Sequence, residues 1–155
     1  MWGDAGWGRE VATGKYNVGH FSEALVEATA KLVAERWKPQ PRPEWVAAVP
    51  SRRHPELVGG FAQRLAARLA LPFFPVIQQV RDIQPQKHME NSVTQLRNLL
   101  GAFAISGDVP GRPVLLVDDM VDSGWTLTLL AVLLQANGSG PVHLFAPAKS
   151  SPKDN

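Results

Sequence analysis

Apolar and polar positions alternate along this chain in blocks that read as strand, helix, strand. Phe21, Leu25, Ala28, Leu32 and Val33 recur at helical spacing and predict a helix to about Trp37. Lys38-Pro39-Gln40-Pro41-Arg42-Pro43 follows, an extended linker too rich in proline to be helical and too short to separate two domains. Trp45 to Val49 is the first predicted core strand, and Leu57, Phe61, Leu65 and Leu69 mark an amphipathic helix with Arg64 and Arg68 off its apolar face. Phe73 to Ile77 reads as a second strand, Asn91 to Leu100 as a short helix, and Ala102 to Ile105 as a third strand. Val114 to Val117 is a fourth, an unbroken apolar run typical of a strand buried on both faces of a parallel sheet. Thr126 to Ala136 supplies another helix, stopped by Asn137-Gly138, and Val142 to Ala146 a last strand. The alternation predicts an α/β fold: a mainly parallel sheet of about five strands flanked by helices. Residues 1–19, rich in glycine and tryptophan, show no period and read as an irregular arm, and 149–155 as a frayed polar tail.

The 155 residues are enough for one domain with a real core, and the expectation is a single domain over 1–155. There is no cysteine, which excludes thiolate metal sites, thiol nucleophiles and disulfides and is compatible with a cytoplasmic location. No apolar stretch reaches the length of a membrane span, and no targeting signal is visible at the amino terminus. The formal charge is only +2 but uneven: residues 1–100 carry 13 Lys and Arg against 9 Asp and Glu, and residues 101–155 carry 3 against 5. A mild surplus of this kind suits a polyphosphate pocket at least as well as nucleic acid.

The chemistry concentrates after the fourth strand, in Val117-Asp118-Asp119-Met120-Val121-Asp122-Ser123-Gly124-Trp125-Thr126. Ligands of parallel sheets sit at strand carboxyl ends, where Asp118 and Asp119 fall. The loop then meets a helix start, whose unpaired N–H groups and partial positive charge hold a phosphate. Gly124 lets the backbone come close, and Ser123 and Thr126 add hydroxyls. The two carboxylates would repel a phosphate, and a ribose diol and a magnesium ion fit them better. Asp122, Ser123 and Thr126 are also compatible with plain helix capping.

Ser51-Arg52-Arg53 leaves the first strand on the same carboxyl edge, so both loops can meet in one crevice. Guanidinium forks suit a pyrophosphate, although a solvated helix-preceding loop accounts for the arginines equally well. Arg81 to Asn98 is a long polar stretch containing Lys87. Gly8 to Lys15 misses the P-loop spacing, and the four histidines have no metal-ligand spacing. Ser123 lacks a nucleophile-elbow context.

The Val117 to Thr126 segment resembles the phosphoribosyl pyrophosphate (PRPP) motif of type I phosphoribosyltransferases. That resemblance implies that Asp118 and Asp119 take the ribose hydroxyls, with magnesium reached indirectly through PRPP and water. It implies that Asp122, Ser123, Gly124, Trp125 and Thr126 wrap the 5-phosphate, and that Ser51, Arg52 and Arg53 form the pyrophosphate loop. Asp122 matches an acid proposed as a base toward the purine ring in the purine-salvage branch. The 81–98 stretch resembles the mobile loop that closes over PRPP, with Lys87 reaching a phosphate. Further stretches (3–8, 50–58, 85–92 and 98–103) resemble the phosphoribosyltransferase-like region appended to some bacterial RecQ-family DNA helicases, and ComF-type competence proteins are similar in outline.

The resemblance implies a phosphoribosyl transfer to an unidentified base with loss of pyrophosphate, in nucleotide metabolism. The alternative it leaves open is a non-catalytic PRPP- or nucleotide-binding or DNA-associated module, with a helicase in cis and a role in DNA repair. The DNA reading predicts affinity lost on changing Arg52 and Arg53. The resemblance implies a base-binding hood that is reduced or built from residues 1–40, where Trp2, Trp7 and Tyr16 lie.

Overall fold

The computed structural model describes residues 21–51, 55–81, 97, 100–121 and 124–149. The first helix, α1 (Glu23–Lys31), starts at Ser22, whose hydroxyl accepts the Leu25 N–H at 3.2 Å. It runs on as a π-helical segment, Leu32–Trp37, closed by Lys38 in the left-handed conformation with its N–H on the Val33 carbonyl. The remaining elements are β1 (Trp45–Ala48), α2 (Pro55–Arg68), β2 (Ile77–Gln79), β3 (Phe103–Ile105), β4 (Val114–Val117), β5 (Met120–Val121), α3 (Trp125–Ala136), β6 (Val142–Phe145) and β7 (Ala148–Lys149).

The core is a three-stranded parallel sheet in the order β1-β4-β6, flanked by helices. Alternate residues of each strand point to opposite faces. Val46, Leu115, Val117 and Phe145 pack with α1 and α2, whereas Trp45, Ala47, Val114 and Leu116 pack with α3. All four residues of β4 are fully buried, as its unbroken apolar run requires. On the α1–α2 face, Phe21 and Phe61 meet edge to face at 5.4 Å, and Arg64 bonds both Glu23 and the Phe21 carbonyl.

The α/β fold with a parallel sheet between helices is the expected one; only the strand count differs, three in the core sheet against about five. Phe73 makes a single parallel bridge to Val46, and the strand proper begins only at Ile77. Pro72 and Pro75 explain this, because neither has an N–H to give to a ladder. Strand β2 then pairs antiparallel with β3 as a separate ribbon. Residues 100–102 are helical, so β3 starts at Phe103 rather than Ala102, and the start of the predicted Asn91–Leu100 helix lies outside the described residues. Lys149 is not frayed: β7 pairs parallel with β5. The arm at 1–19 lies outside the described residues.

The chain order produces a switch point between β1 and β4. After β1 the chain crosses through α2 to Phe73 on one side, and after β4 it crosses through α3 to β6 on the other. Two loops diverging from adjacent parallel strands leave a crevice between them.

Candidate functional site

The crevice is built from the carboxyl ends of β1 and β4. Ala48 is opposite Val117, and the Val49 N–H continues the ladder to the Val117 carbonyl at 2.9 Å. The two strands therefore end side by side, one running into Pro50-Ser51 and the other into Asp118-Asp119. Ser51 is half-buried there.

Asp118 is pinned to the sheet by its N–H, which donates to the Phe145 carbonyl at 2.9 Å on the neighbouring β6. Its carboxylate turns forward: Oδ1 accepts the Asp119 N–H at 2.7 Å. This short charge-assisted bond fixes the two acids relative to each other. Asp119 is only 9% exposed, a depth at which a carboxylate is kept only with partners around it. Sequence reasoning located both acids but not this self-locking, which depends on a side-chain angle that residue spacing does not encode.

The next two residues, Met120 and Val121, form β5 and pair with β7. They brace the loop between the acids and the helix. A hydrophobic Met-Val pair between acids was the available signal. Gly124 then takes φ +82°, in the left-handed region, and a Cβ there would meet nothing within 4 Å. The glycine is needed for its backbone angle, not for lack of space. It opens α3, with the Thr128 N–H donating to its carbonyl at 3.0 Å, and Trp125 and Thr126 form the half-buried first turn. Leu127, Leu129, Leu130 and Leu134 anchor the helix in the core, so its amino end has a fixed position at the sheet edge.

The structure thus brings Ser51, Asp118, Asp119, Gly124, Trp125 and Thr126 to one edge. Arg52, Arg53, Lys87, Asp122 and Ser123 lie outside the described residues. Among the described residues no cluster of three or more His, Asp or Glu side chains could hold a metal by itself. Two adjacent carboxylates do suit magnesium, which takes one or two protein carboxylates and completes its shell with water and substrate oxygens. No helix among the described residues is long and apolar enough to cross a membrane.

A family model described as the phosphoribosyl transferase domain matches residues 59–151, which include the acid pair, the loop and α3. The chain belongs to the phosphoribosyltransferase domain family. This phosphoribosyltransferase domain is also 33% identical over 123 residues to the DNA utilization protein YhgH of Salmonella typhi, covering 74% of this chain and 53% of that protein. The chain thus spans about half the length of that curated relative. Among solved structures, adenine phosphoribosyltransferase from Leishmania tarentolae superposes with a TM-score of 0.53 at 18% identity, covering 81% of this chain and 57% of that one. The Saccharomyces cerevisiae adenine enzyme gives 0.56 at 17% identity, covering 81% and 66%. At such identities the likeness establishes the shared fold.

Proposed function

We propose that this domain binds magnesium–PRPP in the crevice between β1 and β4 and transfers its phosphoribosyl group to an acceptor base. The observation that carries this reading is the locked Asp118–Asp119 pair at the end of β4, followed by a left-handed Gly124 at the start of α3, in a chain of this family. In this assignment Asp118 and Asp119 accept the ribose hydroxyls, and the N–H groups and hydroxyls of residues 122–126 hold the 5-phosphate. Ser51, Arg52 and Arg53 take the pyrophosphate, and Lys87 supplies a further cation as its loop closes.

The reaction forms a bond from a base nitrogen to C1 of the ribose and breaks the bond from C1 to the pyrophosphate oxygen, which leaves with the electron pair. Asp122 takes the proton that the nitrogen gives up. Magnesium, when bound, neutralises charge on the departing pyrophosphate. Arg52 and Arg53 hold that charge from the protein side, and water is kept from the cationic sugar by the closing loop.

A second reading has one observation in its favour: the curated relative is called a DNA utilization protein. In this version the pocket binds PRPP or a nucleotide without turnover, as a module of a DNA-handling protein. Calorimetry with PRPP and magnesium tests the pocket common to both readings. Saturable heat is expected, weakened roughly 10- to 150-fold in Asp118→Asn or Asp119→Asn through loss of a charge-assisted hydrogen bond. No heat at millimolar ligand, in wild type and variants alike, refutes both. Pyrophosphate release across a panel of bases separates them.

A further inference from the structure

The amino edge of the sheet, opposite the crevice, carries two cavities. One, of about 280 Å³, has a buried or half-buried lining of Val33, Pro39, Pro43, Leu69 and Leu71, with Lys38 and Arg42 exposed at its rim. The other, of about 530 Å³, is bounded by Pro41, Glu44, Pro72, Arg112 and Pro113. They share Arg42, Pro43 and Leu71, so they form one trough along the edge. Three of its four charged lining residues are cations: Lys38, Arg42 and Arg112 against Glu44.

Trp37 adjoins this trough. It is 38% exposed, and its ring stands edge-on to His143 at 6.2 Å. His143 Nε2 is in turn 2.6 Å from the carbonyl oxygen of Pro41, in the wall of the second cavity. Trp37 also lies 6.4 Å from the Phe145 ring, so it meets the trough through His143 and Pro41, with Arg36 and Lys38 its neighbours in sequence and Arg112 lining the second cavity.

We propose that this trough binds single-stranded nucleic acid, its phosphates on Lys38, Arg42 and Arg112 and its bases on Trp37 and the proline–leucine floor. Flat apolar surfaces beside spaced cations are what an unstacked strand requires. A duplex would hide its bases from those surfaces, an acidic peptide has no ring for each of them, and a single nucleotide would leave one cavity and Arg112 unused. The trough lies roughly 13 Å, the length of β1, from the PRPP crevice, so its occupancy does not depend on what that crevice binds.

The test is fluorescence anisotropy of the full chain with a labelled oligo(dT) of about a dozen nucleotides, read across a salt series. Three phosphate contacts on a single strand predict a slope of log K against log salt of about −2. Lys38→Gln, Arg42→Gln and Arg112→Gln should each reduce it by about 0.7. Trp37→Leu should weaken binding by roughly 5- to 150-fold at unchanged slope, and Glu44→Gln should tighten it. Arg52→Gln and Asp118→Asn should leave oligonucleotide affinity unaltered. All variants are first shown to melt near the wild-type temperature, and any that does not is replaced by another uncharged residue at the same position. The proposal is overturned if the three cation variants keep the wild-type slope. It is equally overturned if Arg52→Gln abolishes binding, if a duplex of the same length binds as tightly, or if AMP displaces the strand at equal concentration.

Discussion

Replacing Gly124 isolates the backbone requirement of the phosphate-side loop from everything else in it. A Cβ at this position meets no atom within 4 Å, so alanine introduces no collision and acts through φ alone. An L-residue in the left-handed region costs about 1–2 kcal/mol. Alanine also restricts the unfolded chain, which returns about 0.4–1 kcal/mol. The expected net destabilisation is therefore about 0–1.6 kcal/mol, or up to roughly 6 °C in melting temperature for a chain of this size. Asparagine enters the left-handed region more readily and should lose less, whereas β-branched valine should lose more. Thermal melts of Gly124→Asn, Gly124→Ala and Gly124→Val read this order. PRPP calorimetry on the same variants reads the second consequence. If alanine relaxes the free loop out of the left-handed region, the angle must be restored on binding, and affinity falls up to about tenfold. A valine variant as stable as alanine, or an asparagine variant less stable than alanine, refutes the argument.

The other predictions concern the frame around the site. Gly140→Ala would put a Cβ 2.6 Å from the Arg112 carbonyl carbon and 2.8 Å from the Pro113 nitrogen, backbone atoms that cannot swing away, and should cost about 1–3 kcal/mol in denaturant melts. Gly59→Ala, inside α2 with nothing within 4 Å, should instead stabilise by about 0.5–1 kcal/mol. Trp45→Phe removes the indole N–H bond to the Arg112 carbonyl at 3.0 Å and leaves unfilled space at a fully buried position, and should destabilise by about 2–3 kcal/mol in the same melts. The hydrogen bond from Arg64, with Arg68 assisting, holds the Glu23 carboxyl below its ordinary pKa. A lowered folded-state pKa contributes stability above the unfolded value and loses it as pH falls through the folded one. Glu23→Gln should therefore be less stable than wild type at neutral pH, with the difference vanishing in acid.

The parallel core was legible because β4 is buried on both faces, β1 nearly so, and α2 and α3 keep a helical stripe. Val114 to Val117 and Leu127 to Leu134 left little choice. The position of the acid pair was legible for the same reason: two acids placed directly after a fully buried strand have to emerge at its carboxyl end. What escaped the sequence was pairing. Ile77-Gln78-Gln79 has no strong strand pattern and is a strand because β3 lies against it. Met120-Val121 and Ala148-Lys149 are too short to announce themselves and are strands only as a pair distant in sequence. The π-helical end of the first helix reflects the Lys38 N–H reaching back to Val33, a closure that apolar spacing does not record. The amino-edge trough was hidden differently, since the proline-rich linker reads as a spacer until Arg112 and Leu71 are brought beside it.

Whether PRPP occupies the carboxyl-edge crevice between β1 and β4 is read from backbone amide chemical shifts of the labelled protein, followed while magnesium–PRPP is added. The amides of Ser51, Asp119, Gly124, Trp125 and Thr126 should shift together and saturate, with ribose 5-phosphate moving the Gly124 to Thr126 group and leaving Ser51 in place. Saturable shifts confined to Lys38, Arg42 and Arg112, or no shifts at millimolar ligand, would contradict that occupancy.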